Sequence, residues 1–213
     1  MRNNALLLGT PQDYLENKLS TSRQKYEARL DLLPQEIRDR IESGVDQLCD
    51  SEIYSVVALG ASLTSITDLF APDGAKTVGL RNISNQKIDA DKYFLLCAIE
   101  ILYGVDAANS GKTATFGALV DIPALYDGEF ELTQNGRKIV PKQSMHLFFN
   151  GVAVGKTDLS TVIYNRSIFV LDNPKFLVPQ QELKGTMEWG ATPGAAANSF
   201  VKIRLIGTVN ERA

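Results

Sequence analysis

Apolar residues along this chain keep two different rhythms. Over roughly the first fifty residues they recur every three or four positions, and after about residue 76 they alternate in short runs separated by Gly, Pro and Asn turns. Leu15, Leu19, Tyr26, Leu30 and Leu33 fall, with Ser22, along one stripe of a helix whose other faces carry charge. Thr10, Pro11 and Asp13 have the form of an N-cap, an N1 proline and a first-turn acid. Pro34 ends or kinks this helix, because its ring removes an N–H donor and disfavours helix at Leu33. A second helix is predicted beyond it, since Ile37, Ile41, Val45 and Leu48 repeat at the same spacing up to Cys49 and Asp50. Residues 1–52 thus read as an arm of two helices with narrow apolar seams. Such helices can pack against each other, against the rest of the chain, or against another copy.

Residues 53–76 form a connecting segment in this reading. Its start, from Ile53 to Leu59, is rich in β-branched residues and leans towards strand, although a buried helix has the same composition. Strands are then expected at 77–83, at 92–103 (KYFLLCAIEILY, apolar enough to be covered on both faces), and at 129–133 and 138–140. The last two flank Asn135-Gly136, the preferred chemistry of a type I′ hairpin, since both positions accept positive φ. Further strands are expected at 145–149, at 167–171 with a stop at Asp172-Asn173-Pro174, and at 182–189 with Leu183, Gly185, Met187 and Trp189 on one face. The last runs over 200–209, where Val201, Ile203 and Leu205 belong to a core and Lys202 and Arg204 to the opposite face. Seven or eight strands with no intervening helical period give a mainly β chain. The fold expected for 77–213 is an antiparallel β-sandwich or single jelly roll, carrying an N-terminal helical arm.

Length and charge narrow this picture. A chain of 213 residues accommodates one β domain of roughly 130 to 160 residues with an appendage, and a domain of that size buries a core without staples. Cys49 and Cys97 lie in separate predicted elements with no CxxC pair, and are expected to be unpaired thiols of a reducing compartment. No apolar run approaches the roughly 20 residues needed to span a bilayer, and Ala5 to Leu8 is too short for a secretory leader, so the chain reads as soluble. The net charge is −3; residues 1–52 hold 7 basic against 10 acidic side chains, leaving 15 of each in the remainder. A neutral domain with an acidic arm traps phosphate backbones poorly, so direct nucleic-acid binding is not expected.

No constellation in the sequence specifies a reaction, and no catalytic residue, cofactor or metal is assigned. Gly-Lys-Thr occurs at 111–113 and 155–157, but a phosphate loop needs an earlier glycine where Asp106 and Asn150 stand, so both read as surface loops. His146, the only histidine, reads as structural or surface. Asp89 and Asp91 lack the further acids and glycine of a calcium loop. Glu129 and Glu131 share one strand face and read as a wet surface rather than a glycosidase pair, whose acids must flank a cleft. Trp189 ends a strand before a small-residue loop and reads as a core or interface anchor.

The order of these pieces resembles that of jelly-roll virion proteins of bacteriophages, capsid or capsid-associated. The resemblance covers about residues 77–209: a lead-in strand at 77–83, a hairpin with a polar turn, and the closing pair LDNPKFLVPQQELKGTMEWG and FVKIRLIGTV, all preceded by a helical arm. It implies a non-enzymatic component made in host cytoplasm, working in the virion as an oligomer with copies of itself and other virion proteins. Candidate interface residues are Leu15, Leu19, Tyr26, Leu30 and Trp189. The alternative is a carbohydrate- or ligand-binding sandwich module, which a cleft lined by Trp189 and tyrosines would favour.

Overall fold

The computed structural model describes residues 21–119, 125, 127–148, 167–192 and 194–213. Among these residues two short helices come first, α1 (Ser22–Glu27) and α2 (Gln35–Glu42), joined through a 3-10 turn at Leu30–Leu32. Thr21 is extended and caps α1, its hydroxyl accepting from the Gln24 N–H while the Gln24 side chain accepts from the Thr21 N–H. Leu33 is extended ahead of Pro34, as the proline requires.

The second helix stops well short of its sequence pattern. It ends at Glu42, Gly44 turns the chain at φ +77°, and β1 (Asp46–Ala58) begins four residues after the helix. Val45 is exposed, and Leu48 and Cys49 are strand residues. The helical spacing of Val45 and Leu48 is overridden by a partner far along the chain, because β1 pairs along its whole length with β9 (Ser199–Arg212), from Asp46 opposite Arg212 to Ala58 opposite Phe200. The boundary placed at residue 52 therefore falls inside a strand.

Between them lie β2 (Ser65–Ile66), β3 (Phe94–Val105), β4 (Thr115–Ala118), β5 (Glu129–Gln134), β6 (Arg137–Ser144), β7 (Ile168–Leu177) and β8 (Leu183–Glu188). One antiparallel sheet has the order β1-β9-β3-β4 with β7 also on β3, and the other has β2-β8-β5-β6. The pairs nest: β5 with β6 innermost, then β3 with β7, β2 with β8, and β1 with β9 outermost. Successive pairs alternate between the two sheets.

Ile99, Ile101, Ile203 and Leu205 of the first sheet share one buried core with Phe130, Leu132, Leu183 and Met187 of the second, so the chain is β-sandwich-like and mainly β. The expected alternation in β9 holds, since Val201, Ile203 and Leu205 are fully buried while Lys202 and Arg204 are half-buried on the other face. The Asn135-Gly136 turn has both residues at positive φ, 47° and 75°.

Three expected elements differ. Residues 77–83 make turns and isolated bridges instead of a lead-in strand; the Leu80 carbonyl accepts from Val56 N–H, and the Asn82 amide bonds the Tyr54 N–H and Glu52 carbonyl, so this segment covers the free edge of β1. Residues 145–148 form a 3-10 turn that buries Met145 and Phe148, at a spacing of three that alternation misreads. Asp172-Asn173-Pro174 does not stop β7. Pairing with β3 lapses between Val170 and Lys175, opposite a register shift at Leu96/Ala98, and a bulge is where a strand tolerates a residue without an N–H.

Two predictions follow from β9. Ile203→Ala should cost about 2 to 5 kcal/mol in denaturant unfolding, while Lys202→Ala should cost no more than about 1 kcal/mol, its ammonium lying 4.9 Å from the Tyr54 ring centre. Gly207→Ala should also destabilise by at least about 1 to 3 kcal/mol, because a Cβ there would run into the Leu95 carbonyl. A melt unchanged in Gly207→Ala would show that the β3 bulge yields freely.

Candidate functional site

The candidate interface is the outer face of the β1-β9-β3 sheet. At one end α1 and α2 lie on it, where Tyr26, Leu33 and Ile37 bury themselves against Leu95 and Cys97, with Leu30, Ile41, Leu48, Tyr93 and Phe176 around them. Tyr26 is fully buried and meets Phe176 edge-on, ring centres 4.9 Å apart. Its hydroxyl donates to the Tyr93 carbonyl at 3.2 Å and to Asn210 Oδ1 at 3.4 Å. Burial, and then the nearby Asp46 charge, hold its phenol well above the ordinary tyrosine range.

A polar node completes this dock. Asp46, 3 % exposed, accepts from Arg40 Nη2 at 2.7 Å and from Asn210 Nδ2 at 2.8 Å. Asn210 also donates to the Asp91 carbonyl and accepts from the Tyr93 N–H. Five elements or turns thus converge on one amide: α1, the start of β1, the entry to β3, the end of β9 and, through Asp46, α2.

Each sequence-predicted interface residue has a definite place, or none. Leu15 and Leu19 lie outside the described residues. Tyr26 is buried against its own sheet, because the sheet offers it an aromatic partner and two acceptors that a solvent-facing arm would lack. Leu30 is partly buried in the same cluster. Trp189 is a core residue, 5 % exposed, with Nε1 donating to the Leu63 carbonyl at 2.8 Å; closing a core and satisfying its indole, it presents no ring to a sugar or a neighbour.

Sequence reasoning missed the rest of this outer face, since its residues become neighbours only across strands. Past the helices the rows read Glu52, Ile206, Ala98 and Val170; then Tyr54, Arg204 and Glu100; then Val56, Lys202 and Leu102; then Phe200, Gly104 and Phe116, with Val56 and Phe200 buried beside Leu80 and Gly111. Arg204 donates to Glu52 at 2.7 Å and to Glu100. Partial burial opposes its charge, but the Glu52 bond and the two carboxylate charges outweigh that and hold the guanidinium above its ordinary value. Lys202 sits over the rings of Tyr54 and Phe116.

The opposite sheet presents a different surface. Glu129 and Glu188 stand directly across from each other, and Lys142 bridges them at 3.0 and 2.6 Å; Lys138 pairs with Glu131 at 3.0 Å. Bonds to Glu188 and Glu129 raise the Lys142 ammonium above its ordinary range. This is the wet face read from Glu129 and Glu131.

The remaining candidate groups lie apart among the described residues. His146 lies 3.7 Å from the exposed Asp127. Asp89 pairs with Lys76 and Lys92, and among the described residues no cluster of His, Cys, Asp and Glu could hold a metal ion. Gly111-Lys112-Thr113 lies in turns between β3 and β4, where Ser110 N–H and Thr113 hydroxyl bond the Asp106 carboxylate; the triplet at 155–157 is outside the described residues. Both described cysteines are free. An open, shallow recess of about 530 Å³ is lined by Pro72, Asp73, Asn85, Gln86, Lys87 and Glu182, with no aromatic ring. Among the described residues no helix is long and apolar enough to cross a membrane. Compared with protein-family models and with curated proteins, the chain matches none.

The dock generates a pH prediction. A phenol whose folded pKa lies above its unfolded value contributes stability in full below about pH 10, and that contribution is lost as pH rises beyond it. Helix docking should therefore weaken above about pH 10, read as faster hydrogen exchange at residues 22–42, and Tyr26→Phe should flatten the dependence. Tyr26→Ala should release the same amides at neutral pH while those of Ile99 to Ile101 stay protected; loss of protection in both together would make the helices inseparable from the core. Lys142→Ala should lower the melting temperature most at low salt, where the Glu129 and Glu188 charges repel unscreened.

Proposed function

We propose that this chain is a non-enzymatic structural component that self-associates, a bacteriophage virion protein of capsid or capsid-associated type built on a single jelly roll. The carrying observation is the nesting of four antiparallel pairs, β1 with β9, β2 with β8, β3 with β7 and β5 with β6, alternating between two sheets. A long hairpin ribbon wrapped over itself produces that order, and the resulting double sheet is an architecture of viral capsid and lectin domains. Its partners on this reading are copies of itself and other virion proteins, assembled in host cytoplasm, with no direct nucleic-acid contact and no cofactor.

The lectin-like alternative uses the same strand order, so the support for the assembly reading over it comes from the surfaces. Trp189 is in the core, and the recess at Pro72 and Glu182 offers no ring for a sugar to stack on. The outer face beside the helices instead mixes apolar and charged side chains, Val170 and Ile206 with Glu52, Arg204 and Glu100, as association surfaces do.

The test is mass in solution by light scattering, followed by electron microscopy of any large species. Concentration-dependent association and closed or sheet-like particles are the expected result. A strict monomer that binds an oligosaccharide at the 72–87 recess would replace this reading with the alternative.

A further inference from the structure

We propose that the uncovered half of the β1-β9-β3 outer face is the contact surface for a second copy of this chain; the inference rests on the reading of the protein as a self-associating component. Val170 is 55 % exposed there, Ile206 is partly exposed in the same row, and Tyr54 and Leu102 are partly exposed in the rows that follow. The other sheet covers its outer side with ion pairs instead, so the two outer faces differ in character.

Charge identifies the occupant. The patch holds two acids, Glu52 and Glu100, and two bases, Arg204 and Lys202, and the Arg204 bonds to both acids hold the mixed signs in place. A surface of formal charge zero has no attraction for a polyanion or a strongly basic partner, but it is complementary to itself: the cation of one copy can face an acid of the other. Val56 and Phe200 of the outward rows are buried beside Leu80 and Gly111, so the open part is the two rows from Glu52 to Val170 and from Tyr54 to Glu100 with Lys202 and Leu102 beyond them, about 250 Å² for strands about 4.8 Å apart and rows about 6.8 Å apart. That is about a third of the roughly 800 Å² per partner found in stable pairs. A single contact is therefore weak and gains strength by repetition, which suits a many-copy assembly.

The sign of the patch can be shifted in either direction. Lys202→Glu leaves three acids against one base, and Glu52→Lys leaves three bases against one acid, so each variant repels itself and attracts the other. In a concentration series by light scattering or sedimentation, each variant alone should associate about tenfold or more weakly than the natural chain. An equimolar mixture should recover association. Val170→Asp should weaken it without recovery by either partner, and melting curves establish that every variant is folded; should either charge variant fail to fold, Val170→Asp decides alone. Folded variants that associate like the natural chain would overturn this face while leaving self-association standing. A natural chain that stays monomeric into the millimolar range would overturn both.

Discussion

The ladder between β1 and β9 is the constraint on which the rest of the fold depends. It joins Asp46 to Arg212 and Ala58 to Phe200, so it closes nearly the whole described chain into one loop. β9 then pairs with β3 on its other side, from Phe94 opposite Val209 to Val105 opposite Ser199. A strand with partners on both sides has no freedom of register. Shifting it by one residue would turn Lys202 and Arg204 into the core, at several kcal/mol for each buried charge. The cost of this arrangement is kinetic. Loop-closure entropy for so distant a pair must be met before its contacts reward it, and folds dominated by such pairings form slowly.

Local chemistry made some of the fold legible. Asn135-Gly136 announced its hairpin because the turn type depends on two adjacent residues, and the alternation of Val201, Ile203 and Leu205 announced β9 because a half-buried strand carries its own period. The segment from Asp46 to Cys49 was not legible. Val45 and Leu48 keep helical spacing after Ile37 and Ile41, and only the pairing with residues near 210 decides that they belong to a strand. Residues 77–83 failed for a related reason: their role is to cap an edge through Asn82 and Leu80, which no periodicity records. At 145–148 a four-residue 3-10 turn and a strand bury similar residue types.

The candidate surface was legible only as a list of apolar residues. Tyr26 stands on an apolar stripe and Trp189 reads as a core or interface anchor, but burial against the chain's own sheets and burial by a neighbour leave the same mark in a sequence. The surface that remains open is built from Glu52, Arg204, Glu100 and Val170, on four strands separated by up to about 150 residues. Its composition is ordinary in every strand taken singly. Only the strand order brings the two signs of charge and the exposed valine into one patch.

Why the helices sit where they do is a matter of polar geometry more than of area. Apolar contacts alone would let two short helices slide along the flat rows of Leu48, Leu95 and Phe176, since every position on such a surface offers similar burial. The Asp46 carboxylate removes that freedom, because Arg40 and Asn210 must both reach it and any slip leaves charged or amide groups buried without partners. Gly44, at φ +77°, lets the chain reverse from α2 into β1 within three residues and so brings Arg40 back over Asp46. The helices consequently have one address on the sheet, at its end, and among the described residues they leave Val170 and Ile206 of the same face uncovered.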